Sequence, residues 1–294
     1  MGKNFLIFKK NYGIIFIENK EMGEKSMKVC LNARCSPQYL TKADEIKIAY
    51  KDRNTIIDYI DKYDAIIVLD MRAAPEGIDW EEISRLNTIC RGKFIFGAVS
   101  ANQFYKCNEL GIKFYFDRPI SRYEDIQDLR AFKPEYLLIE TPLFFELEKV
   151  KVFGIPVRLA PNLAYYDNWI PKVNGLYGSW VRPEDMDLYE GLIDTVEFVA
   201  SDARQEEAYY RVYFETKTWP GELEHFIVNF RRLGVNNGYL PRSFTEARLN
   251  CGQKCQSGGS CKICAKAVKL SNNENFQERL KAAEASIERD KNGI

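Results

Sequence analysis

One histidine in 294 residues, His225, is the scarcest feature of this sequence. Ser-His-Asp and Cys-His nucleophilic machinery and the HExxH zinc motif each need a histidine in a fixed relation to its partners. His225 stands in Gly221-Glu-Leu-Glu-His-Phe-Ile-Val-Asn-Phe230, which looks helical and contains no HExxH, so it reads as a helix-surface or packing position. Net charge is missing too: 42 basic residues balance 42 acidic ones, so no global field marks a nucleic-acid binder. Only a local basic patch would serve that role. No apolar run approaches the about 18 residues of a membrane span. Asn4 to Ile17 is interrupted by Lys9, Lys10 and Asn11, and no small-residue cleavage site comes after it. These absences predict a cytoplasmic protein with no membrane partner, in which scattered cysteines stay reduced and clustered ones bind metal.

What is present is an ordinary globular composition, 46% hydrophobic and 29% charged. Residues 1–26 fit poorly with the rest of the chain and are expected to be an amino-terminal extension, with Met27 as the working start. From there strands alternate with helices. Apolar runs at 28–33, 65–70, 93–100, 113–117, 136–140, 155–161, 178–182 and 195–200 read as strands. Lys42–Lys62 reads as the first helix, and Asp79–Arg91 as the second, with Ile83, Leu86 and Cys90 at helical spacing. Eight near-continuous apolar strands, each followed by a helix or helical turn, predict a (β/α)8 barrel over 27–234. A doubly wound open sheet is the alternative, but Asn32-Ala-Arg-Cys-Ser-Pro37 after the first strand carries no GxGxxG. Trp219–Arg232 reads as one more helix, 235–270 as a four-cysteine metal or cluster segment, and 271–294 as a C-terminal segment with a charged helix from Asn275 to Arg289.

Half of the eight cysteines crowd into one stretch: Cys251, Cys255, Cys261 and Cys264 have a C-x3-C-x5-C-x2-C spacing. Thiolates at that density can converge on one metal or cluster, and Gly252, Gly258 and Gly259 would let the backbone fold around it. Four thiolates suit a [4Fe–4S] cluster or tetrahedral zinc equally well by ligand count. Either would be saturated by these cysteines, which implies electron transfer or a structural role. Two disulfides are the other way to use them.

Barrel function gathers at the carboxyl ends of the strands. Those ends supply Asn32 and Arg34, Asp70 and Arg72, Asp117 and Arg118, Asn162, Arg182 and Glu184, and Asp202. Arg158 and Glu197 are different, because each lies in mid-strand. A charge there has no water-facing side and must enter the barrel interior and find a partner, so the two are expected to pair. Arg182, at the predicted end of strand seven, is the leading candidate for a ligand contact. Pro183, Glu184 and Asp185 suit the first turn of the helix after it.

The segment Trp180-Val-Arg-Pro-Glu-Asp-Met-Asp-Leu-Tyr-Glu190 resembles the W-[IV]-R-P-E-D-x-x-x-Y-E stretch of the peptidase U32-like family, which includes ubiquinone- and RNA-hydroxylation proteins. The rhythm of Glu206 to Leu223 is similar too, and the resemblance spans roughly residues 60–225. It implies a (β/α)8-type barrel, a [4Fe–4S] cluster held by four cysteines, and oxygen-independent hydroxylation. Other members are named as peptidases, but their H-G-x-C signature is missing here. The family's cysteines are also more dispersed than 251–264. The expected function is therefore an iron–sulfur-dependent modification of a small aromatic substrate or RNA, alone or as a subunit of a larger enzyme. Arg182, Glu184, Arg158 and Glu197 would shape its pocket. The alternative is a non-enzymatic barrel with a structural zinc site that binds nucleic acid or a partner protein, and a peptidase comes third.

Overall fold

The structure is a computed structural model and describes residues 27–71, 77–117, 120, 123–139, 147–163, 180–228 and 236–249. Eight strands close into an all-parallel barrel in chain order: β1 Lys28–Asn32, β2 Glu45–Ala49, β3 Ile66–Asp70, β4 Phe94–Ala98, β5 Phe114–Phe116, β6 Leu137–Ile139, β7 Val157–Leu159 and β8 Thr195–Glu197. β8 pairs with β1 through Val29↔Val196 and Cys30↔Glu197, which closes the ring. Helices α1 Pro37–Leu40, α2 Ile56–Ile60, α3 Trp80–Ile89, α4 Ala101–Glu109, α5 Tyr123–Arg130, α6 Leu147–Lys151 and α7 Ala203–Tyr210 are interleaved with the strands. The predicted barrel is therefore present, built partly from different segments.

Successive strand residues point to opposite faces, and here the two faces have opposite chemistry. The outer set, with Val29, Leu31, Ile46, Ile48, Ile67, Leu69, Phe94, Phe96 and Leu137, packs with helix residues such as Ile83, Leu86 and Phe104 in one continuous core. The inner set is a separate small cluster of Cys30, Val68, Ile95, Tyr115 and Tyr136. It shares the interior with buried Glu45, Lys47, Asp117, Arg158 and Glu197.

The segment expected to be the first helix contains β2, then a 3-10 turn at Tyr50–Thr55 and α2. Of the expected strand at 178–182, the described residues 180–182 form no strand of the barrel, and Val181 N–H donates to the Pro161 carbonyl at 2.8 Å. A missed strand and a surplus one cancelled in the count of eight. In place of the expected helix at 219–232, the described residues hold a single 3-10 turn, Leu223–His225.

Local signals set the helix boundaries. Asp79 caps α3 by accepting from the Glu81 and Glu82 amides at 3.0 Å, and Asp202 caps α7 by accepting from the Gln205 amide at 2.9 Å. At the amino end of the barrel, Asp44 and Asp194 accept from the Val29 and Val157 amides, each at 2.8 Å, tying neighbouring strands together. α7 continues as a π-helix over Arg211–Thr216. Tyr213 in that turn donates from its hydroxyl to the carbonyls of Val181 at 2.7 Å and Pro161 at 3.1 Å. The last helix among the described residues, α8 Arg242–Leu249, packs against the 3-10 turn Pro183–Tyr189. Among the described residues no helix is long and apolar enough to cross a membrane.

Candidate functional site

β2 carries the residues that organise the interior. In Glu45-Ile-Lys-Ile-Ala49, Ile46 and Ile48 face the helices, so Glu45 and Lys47 must face inward. Arg158 of β7 enters opposite them and is fully buried. Its Nη1 donates to Glu197 Oε2 at 2.9 Å and its Nη2 to Glu45 Oε2. Glu197 uses its other oxygen, Oε1, to accept from Lys47 Nζ at 2.6 Å. Lys47 Nζ also lies 3.5 Å from Asp70 Oδ2 and 3.9 Å from Asp117 Oδ1. Six charged side chains from β2, β3, β7, β8 and the exit of β5 thus form one linked network. The expected pairing of Arg158 with Glu197 is observed.

The network has two levels. At the lower level Arg158 lies over the Tyr136 ring, with its guanidinium carbon 3.8 Å from the ring centroid, and Tyr136 stacks on Tyr115 at 4.5 Å. This cation–π stack takes the place of the aliphatic layer usual in a barrel. Burial drives the Tyr136 hydroxyl well above the ordinary tyrosine range. At the upper level Lys47 meets the carboxylates of Asp70, Asp117 and Glu197, which lie at the carboxyl ends of their strands. Asp70 is the most open of these, with 18% of its side chain exposed. Gly97 of β4 makes this level possible. A Cβ there would stand 2.7 Å from the Leu69 carbonyl oxygen, 2.9 Å from Asp117 Oδ2 and 3.1 Å from the Tyr115 hydroxyl.

Arg182 and Glu184 belong to a different cluster. The buried Arg182 donates from Nε to Asn237 Oδ1 at 2.9 Å and from Nη1 to Asp185 Oδ2 at 3.0 Å. Glu184 accepts from the Asn237 side-chain amide at 2.8 and 2.9 Å and from the Trp219 backbone amide at 2.7 Å. Arg248 of α8 stacks over Trp180 at 4.5 Å. These residues hold 236–249 against the barrel. Arg182, the leading candidate for a ligand contact, spends its hydrogen bonds on that tether.

The expected metal centre is corrected. Among the described residues, no group of three or more His, Cys, Asp or Glu side chains is disposed to hold a metal ion. The interior carboxylates are instead drawn onto Lys47 and Arg158. Cys30, Cys35, Cys90 and Cys107 are free, separately buried thiols. Burial pushes Cys90 up to about 11 and Cys30 and Cys107 up to about 12, away from the thiolate form that binds metals. Cys251, Cys255, Cys261 and Cys264 lie outside the described residues. The [4Fe–4S] cluster and the zinc site are accordingly withdrawn as cofactors, and with them iron–sulfur hydroxylation and the zinc-based binding module.

Sequence reading missed Glu45, Lys47 and Glu206 of α7, whose Oε1 accepts from the Asn32 amide at the end of β1. Asp70 and Asp117 appeared only among the strand-end polar groups. The signal for Glu45 and Lys47 was there, in a strict alternation of charge and isoleucine over 45–48.

Fold and site together define a parallel (β/α)8 barrel with a charged interior. No family model matches the chain, and no curated protein matches it. Among solved structures, a cube-shaped, highly porous protein cage designed by fusing symmetric oligomeric domains aligns over 91% of this chain and 83% of its own, at 11% identity and a TM-score of 0.39. A likeness that faint carries no functional information.

Proposed function

We propose that this chain is a barrel enzyme that performs proton-transfer chemistry on a small polar molecule bearing a carbonyl or hydroxyl group. The reaction would take place at the carboxyl ends of β2, β3, β5 and β8. The observation that carries the reading is Lys47 Nζ within 2.6–3.9 Å of three carboxylates from three other strand ends. Stability does not account for such a group. Replacing a buried ionic cluster by apolar side chains is often neutral, or stabilising by about 1–4 kcal/mol. Strand ends on this face are where barrels carry their chemistry.

In this reading Asp70, the most open carboxylate, takes the substrate proton. Lys47 meets the negative charge that develops on the substrate oxygen. Glu197 orients Lys47 and is itself held by Arg158. The long contacts from Lys47 to Asp70 and Asp117 are the ones a substrate would replace. A cytoplasmic setting and kinship with the peptidase U32-like family, suggested by Trp180–Glu190, are part of the proposal. The barrel is compatible with that kinship.

The test is deuterium exchange. Folded protein is incubated in D2O with a panel of small carbonyl- and hydroxyl-bearing metabolites, and carbon-bound hydrogens are followed by NMR. Exchange by the wild type that falls at least about 100-fold in Asp70→Asn and Lys47→Met is the expected result. No exchange with any panel member, or equal exchange by both variants, would overturn it.

A further inference from the structure

The barrel seam, where β8 closes against β1, is clasped by side chains rather than by strand pairing alone. Asn32, the last residue of β1, donates its backbone amide to Glu206 Oε1 of α7 at 2.6 Å. Arg34, in the turn after β1, donates to the Ala200 and Ser201 carbonyls at 2.8 and 3.1 Å, on the far side of the same seam. Its Nη2 also lies 3.6 Å from Glu206 Oε2. One residue along α7, Glu207 accepts the Ser36 amide at 2.6 Å. Asn32 pairs in register with Lys47, and the next amide, Ala33, donates to the Lys47 carbonyl at 2.9 Å. Whatever moves the end of β1 therefore moves the backbone of Lys47.

We infer that Glu206 is a positioning residue for the barrel mouth, whose ionisation tightens the clasp between the ends of β1 and β8 by engaging Arg34. The functional consequence, a pH-dependent setting of Lys47, rests on the proton-transfer reading; the clasp itself rests only on these contacts. Glu206 is almost wholly buried. From the β1 side it faces Arg34, the Cys35 thiol and, farther in, Cys30; from β8 it faces Glu197; on its own helix it neighbours Glu207. Burial is the largest influence and lifts its carboxyl to about 7, while the Asn32 amide and Arg34 pull the other way and Glu197 adds to the rise. The group therefore changes charge near neutral pH. When neutral it keeps an acceptor for Asn32 but loses its hold on Arg34.

The backbone amide of Asn32 reports the state of its acceptor, so the experiment follows that amide by NMR in labelled full-length protein from about pH 5.5 to 8.5, a range that brackets the value of about 7 for Glu206. A sigmoidal shift with a midpoint near neutrality is expected in wild type, with a flat profile in Glu206→Gln. Arg34→Gln, which removes the nearest cation, is expected to move the midpoint upward. An Asn32 amide that stays still in wild type, or titrates identically in Glu206→Gln, overturns the inference. So does an unmoved midpoint in Arg34→Gln, which serves if the Glu206 variant does not fold. The readout needs no substrate, so failure of the exchange assay and failure of this titration are separate results.

Discussion

Arg158 and Glu197 meet inside the barrel at 2.9 Å, and Glu197 hands its second oxygen to Lys47 at 2.6 Å. One carboxylate thus joins the packed lower level of the interior to the upper level that opens at the mouth. Removing either cation has a different consequence, because the groups left behind differ.

Arg158→Met takes the arginine from Glu45, whose partner it is, while Glu197 keeps Lys47. An uncompensated buried carboxylate costs about 3–5 kcal/mol. Urea unfolding is expected to show a loss of that size. The double variant Glu45→Gln/Arg158→Met is expected to recover part of it.

Glu206 gives stability a pH dependence of defined sign. Its folded pKa is about 7 against an ordinary 4.5. Burying the charge costs more than Arg34 returns, so the ionised form grips Arg34 at the expense of overall stability: the stabilising contribution of the neutral form is complete below about pH 4.5 and is lost as pH rises toward and through 7. The span of 2.5 pKa units between those values corresponds to about 3 kcal/mol. Unfolding free energies of wild type and Glu206→Gln are expected to diverge by up to that amount between acidic and mildly alkaline buffers, with the variant gaining at high pH. Parallel curves would contradict the burial of a titrating group there.

Gly97→Ala sets a methyl against a backbone oxygen at 2.7 Å and the Asp117 carboxylate at 2.9 Å. The carbonyl belongs to β3, which is paired on both sides and has little freedom to retreat, so overpacking is expected to cost about 1–3 kcal/mol. Thermal unfolding measures it. The same variant should weaken any ligand that relies on Asp117.

The tether of 236–249 separates buried from exposed polar contacts. Asn237 is buried and serves Arg182, Glu184 and the Trp219 carbonyl at once. Asn237→Ala is expected to cost about 2–3 kcal/mol by leaving those groups short of partners. Arg242 pairs with Asp187 at 2.6 and 2.9 Å, but both side chains are about half exposed. Arg242→Ala is expected to leave the denaturation midpoint almost unmoved, because solvent screens an exposed pair. Denaturant titration of the two variants side by side tests the contrast.

The barrel was legible in the sequence because most of its strands are short, largely apolar runs that an interior charge interrupts at one position at most, and such runs stand out. β2 was not, because Glu45 and Lys47 on its inner face break the apolar run, and Lys42–Lys62 reads as one helix. The rule that brought Arg158 and Glu197 inward, that a mid-strand charge needs an interior partner, would have found Lys47 had 45–49 been read as a strand. Trp180-Val-Arg182 misled in the other direction. Its residues are buried, but against α8 and the π-helix rather than between barrel strands. Glu206 left no local signature, because its hydrogen-bond and ion-pair partners, Asn32 and Arg34, lie more than 170 positions away in the chain.

The split between an aliphatic outer face and an ionic inner face also constrains how the barrel can close. Strands lined inside by interchangeable aliphatics could settle into neighbouring alignments at little cost. Here a slip of β2 by one residue would turn Glu45 and Lys47 out among the helices and bring Ile46 and Ile48 in, taking Glu45 from Arg158 and Lys47 from Glu197. The charged interior therefore specifies the shear of the barrel, because a mis-closed form leaves these charges without their partners.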